Sequence, residues 1–376
     1  MKIAIIGPEF PPSPGGEAEY AVQVAREMSR RGHDVVVYSL EGNHGGNEKF
    51  EVRDVLRGHY LEDGGAIRDV KDADIVHILS AGWCWIGSVQ QPTFISIHGN
   101  DFINPNPVYG LDLKKRLHLP KGDRLDHWLA AKRTRSMMKR RLGQARRIFA
   151  NSDYTKEVFL QRYPACRGLV MKAGVGVASR YFDRPISPKQ RSKPVRLLTV
   201  CRLSEPRKNV DVVLRAVASL RPEFAFTYTI VGDGHLRTRL EELTSELKIA
   251  DVVNFAGKVS ERELISCYHE SDLFVLPSSV LEASFEGFGI VYLEANACGV
   301  PTLAARAGGA AEAVDEGVSG FFVEEPSVEH VSAGLRAFLL GHRTFGAERC
   351  RNFAAQFNWA QVVDKFERAY ESELRV

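Results

Sequence analysis

Two stretches of this chain gather charged side chains at a spacing that could hold a diphosphate. The first is Arg202, followed by the loop Leu203-Ser204-Glu205-Pro206-Arg207 and then Lys208 and Asn209. An apolar run over 195–200 reads as a strand ahead of Arg202, and helical periodicity follows Asn209. The two cations therefore belong at a strand's carboxyl end and at a helix N-terminus. A guanidinium there grips an oxyanion bidentately, an ammonium adds a point charge, and the helix dipole assists. From these residues alone, two surface cations beside a capped helix is the competing reading. The second stretch is Glu286-Gly287-Phe288-Gly289-Ile290-Val291-Tyr292-Leu293-Glu294, which follows an apolar strand and runs into a helix that Gly299 ends. Glycines at the mouth of that helix let backbone amides approach a phosphate closely. If the segment is helical throughout, its carboxylates stand roughly 12 Å apart, from a rise of about 1.5 Å per residue. That separation suits a ligand with hydroxyls at both ends and a diphosphate between them, such as a sugar nucleotide.

The elements that must position these groups repeat one grammar twice. Over the first forty residues a strand at 2–7, a Pro/Gly-rich loop, a helix at 17–31 and an apolar run at Val35, Val36 and Val37 make a βαβ unit. Ala18, Ala21, Val22, Ala25 and Met28 recur at helical spacing and Gly32 stops the helix. Continuous apolar strands indicate a parallel sheet covered on both faces. Apolar runs at 75–79, 93–97 and 147–150 continue the first domain, whereas 42–65 shows no period and is left unassigned. Apolar density falls over 179–194, where Pro185, Pro188 and Pro194 mark a linker. Strands at 195–200, 226–231, 252–255, 272–276 and 301–304 then alternate with helical segments. A chain of 376 residues exceeds one ordinary core. The expected domains are 1–180 and 195–356, with ligands beyond the carboxyl ends of strands in a cleft between them.

Composition excludes several classes. Apolar residues at 44% and charged residues at 26% rule out disorder and collagen-like chains. The six cysteines, Cys84, Cys166, Cys201, Cys267, Cys298 and Cys350, contain no CxxC pair and suggest neither zinc nor a disulfide framework. Apolar character at the start ends at Gly7 and Pro8, before a signal-peptide core could form, and no stretch is long enough to span a bilayer. A cytoplasmic enzyme is expected. The net charge of +3 says little, but Lys114, Lys115, Arg116, Lys121, Arg124, Lys132, Arg133, Arg135, Lys139, Arg140, Arg141, Arg146 and Arg147 face only Asp123 and Asp126. That local field suits an anionic membrane surface, on the inner face, or a phosphorylated acceptor; a solvated helix face is the alternative. No nucleic-acid partner is expected.

Taken together, these residues resemble the retaining glycosyltransferases of family 4, the group-1 glycosyl transferases, whose GT-B fold is two facing Rossmann-like domains with a cleft between. The resemblance covers nearly the whole chain: the loop Pro11-Pro12-Ser13-Pro14-Gly15-Gly16, then His98 in Ile97-His98-Gly99-Asn100-Asp101, the Arg202/Lys208 pair, and Glu286 with Glu294. It implies that Arg202 and Lys208 bind the donor diphosphate, Glu286 contacts the transferred sugar and Glu294 accepts hydrogen bonds from the ribose. Amides around Gly287, Phe288, Gly289 and Ile290 would lie against sugar and phosphate. Gly15 and Gly16 would abut the phosphate, and His98 matches a histidine near the reacting carbon, with a hydrogen-bonded structural histidine as the alternative. Lys258 and Val259 match the place where backbone meets the nucleobase. Asp101 and Asn151, with Ser152, stand at sugar or acceptor positions. Phe357-Asn358-Trp359 resembles the start of a last helix, 357–376, that crosses back to the first domain, with Trp359 a packing anchor.

The expected partners are a UDP- or GDP-sugar donor and a glycan, lipid-linked or small-molecule acceptor. A sugar-nucleotide epimerase or a phosphorylase on the same architecture is the alternative, and a catalytically silent partner in a polysaccharide-assembly complex is a third. A dinucleotide oxidoreductase fails because no GxGxxG is present: Gly232-Asp233-Gly234 is followed by Arg237 where the third glycine should be. No cofactor and no metal are expected, since Arg202, Lys208 and a helix end supply the positive potential a metal would bring. The only Asp-x-Asp, Asp72-Ala73-Asp74, precedes a strand. Retention of anomeric configuration is carried by the resemblance.

Overall fold

A computed structural model describes residues 1–13, 15–40, 48–56, 68–86, 90–108, 124–186 and 193–374. The chain forms two compact units, Met1–Val175 with Trp359–Val376, and Gly176–Asn358. Pro14, Lys114, Lys115, Arg116, Lys121, Asp123 and Pro188 lie outside the described residues.

The first unit is built on β1 (Lys2–Ile6), β2 (Asp34–Leu40), β3 (Glu51–Leu56), β4 (Ile75–Ile78), β5 (Thr93–Ile97), β6 (Arg147–Ala150) and β7 (Val170–Lys172). They pair in parallel in the order β3-β2-β1-β4-β5-β6-β7. Winding reverses between β1 and β4, so a crevice opens at their carboxyl ends. The inner strands are covered on both faces; Ile3, Ile5, Ile75 and Val76 have no exposed surface. β3 falls in the stretch that shows no sequence period. It is an edge strand in which Glu51, Arg53 and Asp54 keep solvent contact and only Leu56 is fully covered, so it carries no apolar run to read. Helix Gly16–Arg30 buries Ala18, Tyr20, Ala21, Val22, Val24, Ala25 and Met28.

Helix Trp359–Leu374 belongs to this unit and buries Trp359, Val362, Val363, Phe366, Ala369 and Tyr370, a single stripe at helical spacing. Arg31 at the end of the first helix ties it down, donating to Asp364 (2.6 Å), to Glu367 and to the Ala360 carbonyl (2.9 Å). In the core the His77 ring is hydrogen-bonded on both sides, Nδ1 with the Tyr370 hydroxyl (2.5 Å) and Nε2 with Ser96 Oγ (2.9 Å).

The second unit carries β8 (Val195–Val200), β9 (Phe226–Val231), β10 (Val253–Gly257), β11 (Leu273–Leu276), β12 (Thr302–Ala305) and β13 (Gly320–Val323). Their order is β10-β9-β8-β11-β12-β13, again parallel, with the reversal between β8 and β11. Helix Val210–Leu220 packs Val213, Leu214 and Val217 into a core shared with Tyr228, Ile230, Leu273 and Val275. Residues 176–186 also dock in this unit: Tyr181 is buried with its ring 5.9 Å from that of Tyr268.

Candidate functional site

The β8/β11 reversal places two loops side by side at the carboxyl ends of those strands. After β8 the chain is pinned from below, Leu203 N donating to Asp233 O (2.9 Å) and Leu236 N to Leu203 O (2.9 Å). The Gly232-Asp233-Gly234 stretch is thus the support of the Arg202 loop. Lys208 ends a 3-10 turn, Pro206–Lys208, and helix Val210–Leu220 begins two residues later. Between them Asn209 adopts φ 53°, tolerated because its amide nitrogen donates to Pro277 O (2.7 Å) and Ser279 Oγ (2.6 Å). Ser279 N donates to Arg207 O (2.7 Å), so the β8 and β11 loops are stitched into one surface.

On that surface five charges alternate. Arg202, half in solvent at 49% exposure, has its Nε 3.5 Å from Glu205 Oε1. Glu205 also pairs with Arg207, whose side chain is 5% exposed. Arg207 Nη1 donates to Glu286 Oε2 (3.1 Å) and Nε to Ser284 Oγ (2.9 Å). Lys208 Nζ donates to the same Glu286 oxygen at 2.5 Å, and Ser278 Oγ reaches it at 3.4 Å. Burial by itself would raise the Glu286 pKa, but the charges of Lys208 and Arg207, with their hydrogen bonds, outweigh it and hold the carboxyl at about 2.

This arrangement alters the sequence reading. Lys208 and Arg202 are both paired to carboxylates, and Glu286 is the partner of Lys208. Arg207, passed over in the sequence, is the most buried of the three cations. An Arg beside a Lys, two residues after a Glu, looks like solvated surface; Glu286, 79 residues further on, is what buries it.

The helical reading of 286–294 is corrected: the helix is Ile290–Ala297, capped by Gly289 at φ 88°. Helical spacing therefore does not set the distance between Glu286 and Glu294, and Glu286 to Phe288 form an irregular segment of the β11 loop, bent at Gly287. The β12 loop fixes its course. Gly309 N donates to Glu286 O (2.7 Å), and a methyl at Gly309 would stand 2.0 Å from Gly287 O, so only glycine fits there. The Phe288 ring is buried against that of Phe357, centroids 5.7 Å apart. Ile290 is half-buried. Glu294 is buried and its Oε2 accepts from Tyr268 OH (2.9 Å). Lys258 is exposed and Val259 half-buried; they join the carboxyl end of β10 to Ser260, which caps helix Glu261–Glu270 in a capping box with Glu263.

In the first unit, the groups at the ends of β4, β5 and β6 converge on His98. His98 Nε2 donates to Leu79 O (2.8 Å), and Asn151 Nδ2 donates to His98 O (3.3 Å). Asp101 accepts from the amides of His98 (3.0 Å), Gly99 (2.7 Å) and Ala81 (2.8 Å), so its carboxylate holds the loop that presents the imidazole. Burial lowers the His98 pKa against the pull of Asp101, which makes the ring neutral with its proton on Nε2. The ring edge meets Tyr20 (4.5 Å), and Tyr20 meets Trp359 (5.1 Å), so the Trp359 anchor packs one ring away from His98. Gly15 caps helix Gly16–Arg30 at φ 139°. Asp74 is spent at the opposite, amino end of the sheet, its Oδ2 accepting from Lys2 N (2.8 Å).

The basic run continues into helix Arg124–Leu142, which buries one stripe, Ala130, Thr134, Met138 and Leu142. Lys132, Arg133, Arg135, Lys139 and Arg140 face solvent, together with Leu129 and with Trp128 at 56% exposure. Among the described residues no helix is long and apolar enough to cross a membrane.

Comparison with known proteins gives a consistent result. Residues 183–357 match the family model described as glycosyl transferases group 1, and residues 14–175 that of glycosyltransferase family 4. The chain is 26% identical to the GDP-mannose-dependent alpha-(1-6)-phosphatidylinositol monomannoside mannosyltransferase of Mycobacterium tuberculosis, over 97% of this chain and 96% of that protein. It is 34% identical to a D-inositol 3-phosphate glycosyltransferase of Catenulispora acidiphila over 60% of this chain and 57% of the other. Among solved structures it superposes on sucrose-phosphate synthase of Thermosynechococcus elongatus with TM-score 0.77 and 18% identity, covering 100% and 99% of the two chains. HepE of Anabaena, solved with UDP and glucose, gives 0.75 at 19% identity, over 99% and 100%. With both halves of the family matched along its length, a Rossmann-like parallel sheet in each unit and GT-B enzymes among the structures it superposes on, this chain belongs to the group-1, family-4 glycosyltransferases.

Proposed function

We propose that the enzyme moves a hexose from a nucleoside diphosphate sugar to a lipid-linked or glycan acceptor, with retention and without a metal. The observation that carries this reading is the charge chain at the β8/β11 reversal, where Arg202, Arg207 and Lys208 alternate with Glu205 and Glu286 on the loops at the carboxyl ends of two strands. Arg202 and Lys208 take the phosphates as the bond to the sugar breaks, and their fixed charge stabilises the departing diphosphate in the role a divalent ion plays elsewhere. Glu286 orients the sugar, Glu294 the ribose, and backbone at Lys258 and Val259 the base. Gly15 and Gly16 abut the phosphate, and His98, presented by Asp101 and Asn151, acts near the reacting carbon. Retention follows the family: the acceptor hydroxyl attacks on the face the diphosphate leaves. GDP-mannose is the first donor to try, because a relative aligned over almost the whole chain is named for it; UDP-hexoses come next. The relatives named are transferases, which disfavours an epimerase or phosphorylase.

The acceptor's lipid would be met at a membrane surface by helix Arg124–Leu142, which sets exposed Lys132, Arg133, Arg135, Lys139 and Arg140 beside exposed Trp128 and Leu129. Binding to anionic vesicles that falls with salt supports this; no binding at low salt removes it.

A thermal-shift panel of UDP, GDP and ADP tests the donor site, since a ligand at one hundred times its Kd stabilises by about 2.7 kcal/mol. Silence to all three sinks the proposal. Loss of transfer in EDTA, restored by metal, would remove metal independence, and an inverted anomeric coupling in the product's NMR spectrum would remove retention.

A further inference from the structure

Arg207 is the inner cation of the charge chain and differs in kind from the outer two. Each of its nitrogens is committed to the protein: Nε to Ser284 Oγ (2.9 Å), Nη1 to Glu286 Oε2 (3.1 Å) and Nη2 to Glu205. Lys208 reaches Glu286 through one ammonium on a flexible stem, and Arg202 is half in solvent. A diphosphate that recruits Lys208 competes with Glu286 for that ammonium. Once it moves, a carboxylate of 8% exposure loses its shortest ion pair. The other titratable groups acting on Glu286 are Cys201, pushed to about 12 by burial, and Tyr292, also raised by burial; both are neutral and offer no countercharge. Ser278 supplies a hydroxyl only.

We propose that Arg207 is a positioning residue that holds Glu286 in place and ionised while Lys208 passes to the donor diphosphate. Glu205 completes the device: it fixes the far side of the guanidinium and gives Arg202 a resting partner, so both outer cations can leave carboxylates that Arg207 keeps in register. The inference rests on the function proposed above.

Two experiments separate it from that reading. In the ligand-free full chain, urea denaturation of Arg207→Gln, Glu286→Gln and the double variant forms a cycle. The two changes should be strongly non-additive, because each removes the same buried pairing; additive changes overturn the brace whatever the enzyme does. With GDP-mannose and UDP-glucose as donors, Arg207→Gln should lose kcat about 100-fold while donor KM stays within about threefold. An acid limb should also enter its kcat profile near the ordinary carboxyl range, where the unaltered enzyme has none. Arg207→Lys should move that limb back down. Unaltered kcat in Arg207→Gln refutes the proposal, and a KM rise equal to that of Lys208→Ala would make Arg207 a phosphate ligand instead. If the unaltered protein uses neither donor, the proposed function loses its support while the denaturation cycle still decides the brace.

Discussion

Lys208→Ala should damage stability and turnover together, and the two losses should respond differently to pH. The ammonium lies 2.5 Å from Glu286 Oε2 with each side chain 11% exposed, so its removal leaves a buried carboxylate with Arg207 as its remaining cation. Breaking a buried pair costs about 3–5 kcal/mol when nothing replaces it, and Arg207 keeps this case at or below the low end. Titration gives a similar figure. Holding the carboxyl at about 2 instead of 4.5 corresponds to about 3 kcal/mol at neutral pH, and Lys208 is the larger of the two opposing influences. A loss of about 2–3 kcal/mol at pH 7 follows. A depressed carboxyl contributes its stability above the unfolded value and loses it as pH falls through the folded one. The gap between the variant and the unaltered protein should therefore narrow as pH is lowered from 4.5 toward 2. Turnover should fall about 10²–10³-fold, the usual cost of removing one fixed donor from a developing anion. Urea denaturation at pH 7 and pH 3.5, with initial rates of sugar-nucleotide consumption, measures both. Adding Glu286→Gln should recover stability and leave turnover low. A stability gap that is constant with pH refutes the pairing, and normal turnover refutes the clamp.

Arg202→Ala removes a half-exposed cation, so stability should change by less than about 1 kcal/mol while donor turnover collapses; equal losses to those of Lys208→Ala in urea would contradict the geometry. Glu294→Ala should raise donor KM and also cost about 1–3 kcal/mol, because the Tyr268 hydroxyl is left buried without its acceptor; unchanged KM would take the ribose from Glu294. His77, held neutral by burial with its pKa near 3, should make stability fall by up to about 1.4 kcal/mol per pH unit below 6.5. Protonation there must await unfolding, so His77→Gln should flatten that slope, and a slope that persists assigns it to other groups.

The two-unit α/β architecture was legible in the residues because its inner strands are parallel and covered on both faces, which makes them short segments rich in apolar residues. The runs at 93–97, 147–150, 195–200 and 226–231 coincide with β5, β6, β8 and β9. The edge strand β3 left no such trace, since an edge needs only one covered face. Arg202, Lys208, Glu286 and Glu294 stood out by type, spacing and family resemblance, all of which survive in one dimension. Who pairs with whom does not survive there. Glu286 meets Lys208 78 residues away, Glu294 meets Tyr268 across 26, and Arg207 is drawn out of solvent by partners on the neighbouring loop. Nor could spacing show that the helix starts at Ile290, because the Gly309 contact that holds the backbone at Glu286 comes from beyond the end of β12. Charge at a site is a property of residue type, and the sequence carries it. Burial and pairing set the protonation state of that charge and the group it answers to, and those arise only when the β8 and β11 ends are brought together.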